Sequence, residues 1–169
     1  MEYRALGGTG LRVSALGFGC GAVGGLMVRG APGDRERAVA RALELGINYF
    51  DTAPSYGDGR SEEHLGQALR ALGADVHVGT KVRLAPGQLA DIPGAIARSL
   101  DDSLRRLGRE RVDLLQLHNP VEAARRDGAV STRDVLDAAV PALRRLVEQG
   151  KTRFYGITAL GDAAALREV

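Results

Sequence analysis

Tryptophan is absent from this chain of 169 residues, and four tyrosines and three phenylalanines are its only aromatics. So few rings leave little on which single-stranded bases could stack. A net charge of +2 is too small to hold a phosphate backbone or an anionic bilayer. Neither nucleic acid nor a membrane is therefore expected as a partner. The single cysteine, Cys20, excludes an internal disulfide and argues against a zinc cluster. No apolar run approaches the ~18 residues of a membrane span. Met1 leads into Glu2, Tyr3 and Arg4 without the basic-then-apolar order of a secretion signal, so a cytoplasmic location is the expectation. Lysine is scarce as well: of 23 basic residues only Lys81 and Lys151 are lysines. Arginine keeps its proton in proteins, whereas a lysine in a dry site can have its pKa lowered.

What is present is an ordinary globular composition, 26% charged and 44% hydrophobic, with no Pro- or Ser-rich linker. One domain over residues 1–169 is the expectation. Tyr3 to Leu6 and Leu11 to Ala15 flank Gly7-Gly8-Thr9-Gly10 and predict a β-hairpin. Leu16 to Cys20 reads as a third short strand, and Gly21 to Gly33 as irregular chain. From there helix, glycine and strand alternate. Asp34 is the expected cap of a helix ending at Gly46, and Ser61 of one ending at Gly73. A third helix runs from about Ala90 to Gly108, and a fourth from Ser131 or Thr132 to Gly150. The strands between them are Ile47–Asp51, Val76–Lys81, Val112–His118 and Thr152–Thr158, and Asp162 opens a last helix. Successive βα units predict a parallel sheet with right-handed crossovers. An open flavodoxin-like sheet suits the length, whereas a (β/α)₈ barrel typically needs ~250 residues.

Three of these strands end in chemistry: Asp51 with Tyr56 five positions later, Lys81, and His118. Taken singly, each has a plain reading as turn former, loop aromatic, strand-end charge or backbone-bonded turn residue. Taken together, they form a proton donor. A phenol with a pKa of about 10 gives up its proton poorly at neutral pH unless an ammonium stabilises the phenolate. Lys81 can do that, Asp51 can hold Lys81, and His118 can orient a carbonyl oxygen. Convergence of consecutive strand ends favours a barrel mouth over an open sheet. His64 and His77 carry no such context and read as structural.

Asp51 with Tyr56, Gly79-Thr80-Lys81 and Leu115-Gln116-Leu117-His118-Asn119-Pro120 resemble the aldo-keto reductases. Leu6-Gly7-Gly8-Thr9-Gly10-Leu11 and Leu16-Gly17-Phe18-Gly19 do so too, and the likeness extends to Gly156-Ile157-Thr158. The resemblance implies a partial (β/α)₈ TIM barrel in an α/β chain: an N-terminal β-hairpin plus about five parallel βα units. It implies NADPH-dependent reduction of small-molecule aldehydes or ketones, with Asp51, Tyr56, Lys81 and His118 as catalytic tetrad. Gly19, Cys20, Asp51 and Thr158 would contact the cofactor, and Tyr56, His118 and Asn119 the substrate. No metal is implied. Where the family has Ser-Asn to hold the nicotinamide amide, this chain has Thr158 and Ala159. The later strands, with the cofactor-phosphate groups, would lie beyond Val169. The expectation is therefore a C-terminally incomplete chain that binds NADPH weakly and is a fragment or self-associates through open sheet edges. The alternative is a non-catalytic relative, such as one resembling the potassium-channel β subunits, or an inactive truncated fragment.

Overall fold

The computed structural model describes residues 1–21 and 23–169. Strands β1 (Tyr3–Ala5) and β2 (Arg12–Ser14) form the expected antiparallel hairpin, with Tyr3 opposite Ser14. Thr9 closes its turn by donating to the Leu6 carbonyl at 2.5 Å and accepting from the Leu11 N–H at 3.2 Å. Then come β3 (Phe18–Gly19), α1 (Leu26–Arg29), α2 (Pro32–Glu44), β4 (Tyr49–Asp51), α3 (Arg60–Ala71) and β5 (His77–Val82). Helix α4 (Ile92–Leu107) and strand β6 (Val112–Leu117) follow, then two short strands, β7 (Val121–Glu122) and β8 (Val130–Ser131). The chain continues through α5 (Thr132–Asp134), a π-helical turn (Val135–Ala139), α6 (Val140–Glu148), β9 (Thr152–Ile157) and α7 (Ala163–Glu168). The winding changes just before Pro141, which has no N–H to give the carbonyl four residues back.

Strands β3, β4, β5, β6 and β9 lie in that order in one sheet, the order that successive βα units produce. Strand β4 is parallel to both neighbours, with Asp51 opposite Gly19 on one side and Gly79 on the other. The four predicted helix-ending glycines, Gly46, Gly73, Gly108 and Gly150, all adopt left-handed φ between +58° and +83°. No helix among the described residues is long and apolar enough to cross a membrane.

Three local expectations change. Part of the Gly21–Gly33 stretch is helical, in α1 and the start of α2. Pro32, not Asp34, opens α2: a first-turn proline lacks only an N–H that would have no partner, and the Arg35 N–H bonds the Ala31 carbonyl at 3.1 Å. Ser61 is not the cap of α3. Gly59 occupies that position at φ +86°, and Ser61 points inward.

The chain divides into two compact units, Met1–Thr80 with Ser103–Asp113, and Lys81–Asp102 with Leu114–Val169. Their boundaries fall inside β5, α4 and β6, where composition gives no sign of a break. The first unit buries Val39, Phe50, Leu65, Val78 and Leu107. Phe50 and Val78 are register partners, and the Phe18 and Phe50 rings lie 5.2 Å apart. The second unit buries Ile96 and Leu100 of α4, Leu115 and Leu117 of β6, and Leu143 and Leu146 of α6.

Candidate active site

Alternation along β4 sends Tyr49 and Asp51 to one face and Phe50 to the other. Beyond Asp51 the chain turns tightly. The Tyr56 N–H bonds the Ala53 carbonyl at 3.1 Å, and the Gly59 N–H bonds the Pro54 carbonyl at 2.8 Å. That turn sets Tyr56 beside Asp51 on the wall of a cleft of about 360 Å³ in the first unit. Phe18, Gly19, Gly21, Leu26 and Met27 complete much of its lining. The Tyr56 ring lies against Gly21, where an added Cβ would stand 4.0 Å from the ring.

Cys20, expected as a cofactor contact, directly follows β3. Its side chain is fully buried, its N–H bonds the Asp51 carbonyl at 2.8 Å, and its own carbonyl accepts from Ser61 at 2.9 Å. It fixes the strand end from which Gly19 reaches the cleft.

Tyr49 is a neighbour that the motif reading passed over, although its place two residues before Asp51 puts it on the same face. Burial, then the carboxylates of Asp51 and Asp113, push its phenol up to about 12. Gly79 makes room for it: a Cβ there would overlap the Tyr49 hydroxyl and lie 3.7 Å from Asp51 Oδ1. The two histidines set aside are structural. His77 Nδ1 is 3.2 Å from Asp113 Oδ1, and His64 Nδ1 is 2.8 Å from the Met27 carbonyl.

In the second unit Lys81 is buried near the end of β5. The His118 N–H bonds the Val82 carbonyl at 2.8 Å, making the ends of β5 and β6 neighbours there. Asn119, expected at the substrate, has its amide committed elsewhere. Its Oδ1 accepts from the Leu84 N–H at 2.8 Å, and its Nδ2 donates to the carbonyls of Leu84 and Gly128 at 2.9 and 3.2 Å. It braces the loop after His118. Thr158 bonds the Leu117 carbonyl through its N–H at 3.1 Å, with its hydroxyl at a long 3.4 Å. Ala159 follows at φ +51°.

Between β6 and α5, β7 and β8 pair, and Arg125 grips Asp134 with two nitrogens. That grip, with the Ser131 N–H and hydroxyl assisting, holds the Asp134 carboxyl down at about 2, although burial acts the other way.

The second group missed in the sequence is Glu62, fully buried on α3 and bonded to Thr80 and Arg106. A charged residue is almost never so buried without a partner. Its partners lie 18 and 44 positions away, so no local pattern announces it.

Comparison with known proteins fits this layout. The sequence profile of the aldo/keto reductase family matches residues 15–169. L-Galactose dehydrogenase of Arabidopsis thaliana is 41% identical over 163 residues, covering 95% of this chain and 49% of that protein. The holo form of an aldo-keto reductase from Bacillus halodurans superposes with TM-score 0.74 at 34% identity, over 93% of this chain and 50% of that one. An aldo/keto reductase from Klebsiella pneumoniae, solved with NADP and acetate, gives 0.69 at 30% identity, with coverage of 93% and 49%. The chain thus spans about half the length of these relatives, and its α/β layout with a parallel sheet covers part of their (β/α)₈ barrel. On the match of the profile to nearly its whole length, the chain belongs to the aldo/keto reductase family.

Proposed function

We propose that the protein carrying these residues reduces aldehyde or ketone carbonyls to alcohols with NADPH. One observation carries the reading: Asp51 and Tyr56, the carboxylate and phenol of the expected tetrad, open onto one glycine-lined cleft. Its volume of about 360 Å³ falls within the ~300–1,000 Å³ usual for ligand sites. Gly19 and Gly21 offer backbone instead of side chains, so a flat ring could approach closely. Gly19, Asp51 and Thr158 would hold the cofactor, which when bound supplies hydride to the carbonyl carbon.

The chain's own residues handle the proton. Tyr56 donates its hydroxyl proton to the carbonyl oxygen. Lys81, as an ammonium, stabilises the phenolate left behind, and Asp51 steadies Lys81 by charge. His118 hydrogen-bonds the carbonyl oxygen and orients it. Tyr49, whose phenol is pushed up to about 12, stays protonated and leaves proton donation to Tyr56. Asn119 supports the loop behind His118 and makes no substrate contact in this scheme.

Tyr56→Phe tests this in the protein that carries the segment. It should lower kcat for NADPH-dependent reduction by ~10²–10⁴-fold. Titration of NADPH fluorescence should give an unchanged Kd. Undiminished turnover by the Phe variant would refute the role given to Tyr56. A wild type that binds NADPH and turns over no carbonyl would identify a non-catalytic relative.

A further inference from the structure

Directly after the Tyr56 loop, α3 carries two buried side chains that reach three strands within the first unit. Ser61 Oγ donates to the Cys20 carbonyl at 2.9 Å and lies 2.9 Å from Thr52 Oγ1. A serine hydroxyl has one proton, and here it goes to the carbonyl, so Thr52 donates the second bond. Glu62 Oε1 accepts from Thr80 Oγ1 at 2.6 Å, and Glu62 Oε2 accepts from Arg106 Nε at 2.6 Å. Arg106 Nη2 in turn donates to Ser103 Oγ at 3.2 Å.

The anchor points are what make this more than a satisfied core. Cys20 follows the last residue of β3, Thr52 follows Asp51 at the end of β4, and Thr80 precedes Lys81 in β5. A buried ion pair is poor evidence for stability, because well-packed apolar side chains of the same volume often serve as well or better. What short, charge-assisted hydrogen bonds add is direction and distance. A catalytic group displaced by ~1 Å can cost ~10²-fold in rate.

We propose that Ser61 and Glu62 are positioning residues that hold the backbone at Asp51 and Lys81 in fixed register with the helix that follows Tyr56. The inference rests on the reductase reading above. Through Thr52 and Thr80, α3 sets where the carboxylate and the ammonium stand, while its own leading loop sets the phenol. Arg106 supplies the charge that lets Glu62 be buried.

Thr80→Val keeps the shape of the side chain and removes its hydroxyl, whereas Thr80→Ser keeps the hydroxyl. In the protein that carries this segment, Thr80→Val should lower kcat about tenfold or more while leaving KM for the carbonyl and Kd for NADPH within about twofold. Thr80→Ser should return kcat to within about threefold of wild type. Wild-type kcat in Thr80→Val, even with a lowered Tm, would overturn the proposal, as would equal loss in the Val and Ser variants. Should Thr80→Val fail to fold, Ser61→Ala is read by the same split: a fall in kcat alone supports the proposal and unchanged kcat overturns it. The two readings fail differently. Turnover retained in Tyr56→Phe removes the reductase scheme and this inference together. An inactive Tyr56→Phe beside a fully active Thr80→Val removes the positioning role only.

Discussion

Ala159 occupies the left-handed region at φ +51°, directly after Thr158. A Cβ there costs roughly 1–2 kcal/mol, and alanine has no polar side chain to recover any of it. Asparagine visits that region more readily, so Ala159→Asn should stabilise the protein by up to about 1 kcal/mol, read as a higher denaturant midpoint. By the resemblance to the family, position 159 is also where an amide would hold the nicotinamide, and Ala159 has none. The same substitution should therefore tighten NADPH binding, measured by fluorescence titration. The sequence shows the missing amide but not the backbone strain, because φ here is set by how the chain leaves β9. Tyr49 marks a similar boundary. Its face follows from counting by twos, but the space that Gly79 leaves for its hydroxyl depends on a neighbouring strand.

At the scale of elements, the helix-glycine-strand alternation was legible because each signal is local: a 3.6-residue period, a left-handed glycine, a short apolar run. Ser61 shows where local reasoning fails. Its residue type and place suit a helix cap, yet Gly59 takes the cap and distant partners claim the hydroxyl. Between β6 and α5 the two-residue strands are too short to show a period, so the sequence does not announce them. Arg125 and Asp134 hold the far end of this stretch in place, and their bond makes it sensitive to acid. Asp134 has a folded pKa of about 2 against an ordinary 3.8. A depressed carboxyl contributes stability that is complete above about pH 4 and is lost as pH falls towards 2. The Arg125 side chain is 53% exposed, so solvent screening holds the expected loss to about 1–2 kcal/mol. Urea denaturation between pH 6 and 2 should show wild type losing more stability than Asp134→Asn. Equal acid slopes would contradict the assignment.

Across the whole molecule, family and strand order were readable because the three motifs recur at spacings that successive βα units impose. The division into two units was not, since its edges cut through β5, α4 and β6 and leave no mark on composition. The scarcity of lysine, visible at once in the sequence, gives a direct measurement. Lys151 is partly exposed and reaches Asp101 at 2.5 Å, whereas Lys81 is only 5% exposed. Brief treatment with an amine-acetylating reagent should mark Lys151 well before Lys81, and unfolding in urea should equalise the two, both followed by mass spectrometry. Comparable rates in the folded protein would mean that Lys81 is not enclosed.

Five positions separate Tyr56 from Ser61, and the Arg60 and Ser61 N–H groups close that interval on the carbonyls of Gly57 and Tyr56 at 3.2 Å each. Since the serine is tethered to two strand ends and the phenol faces the cleft, the interval works as a ruler of fixed length. A scan of single-residue insertions should find 57–60 intolerant, and any effort to reshape the cleft by lengthening its rim must begin elsewhere.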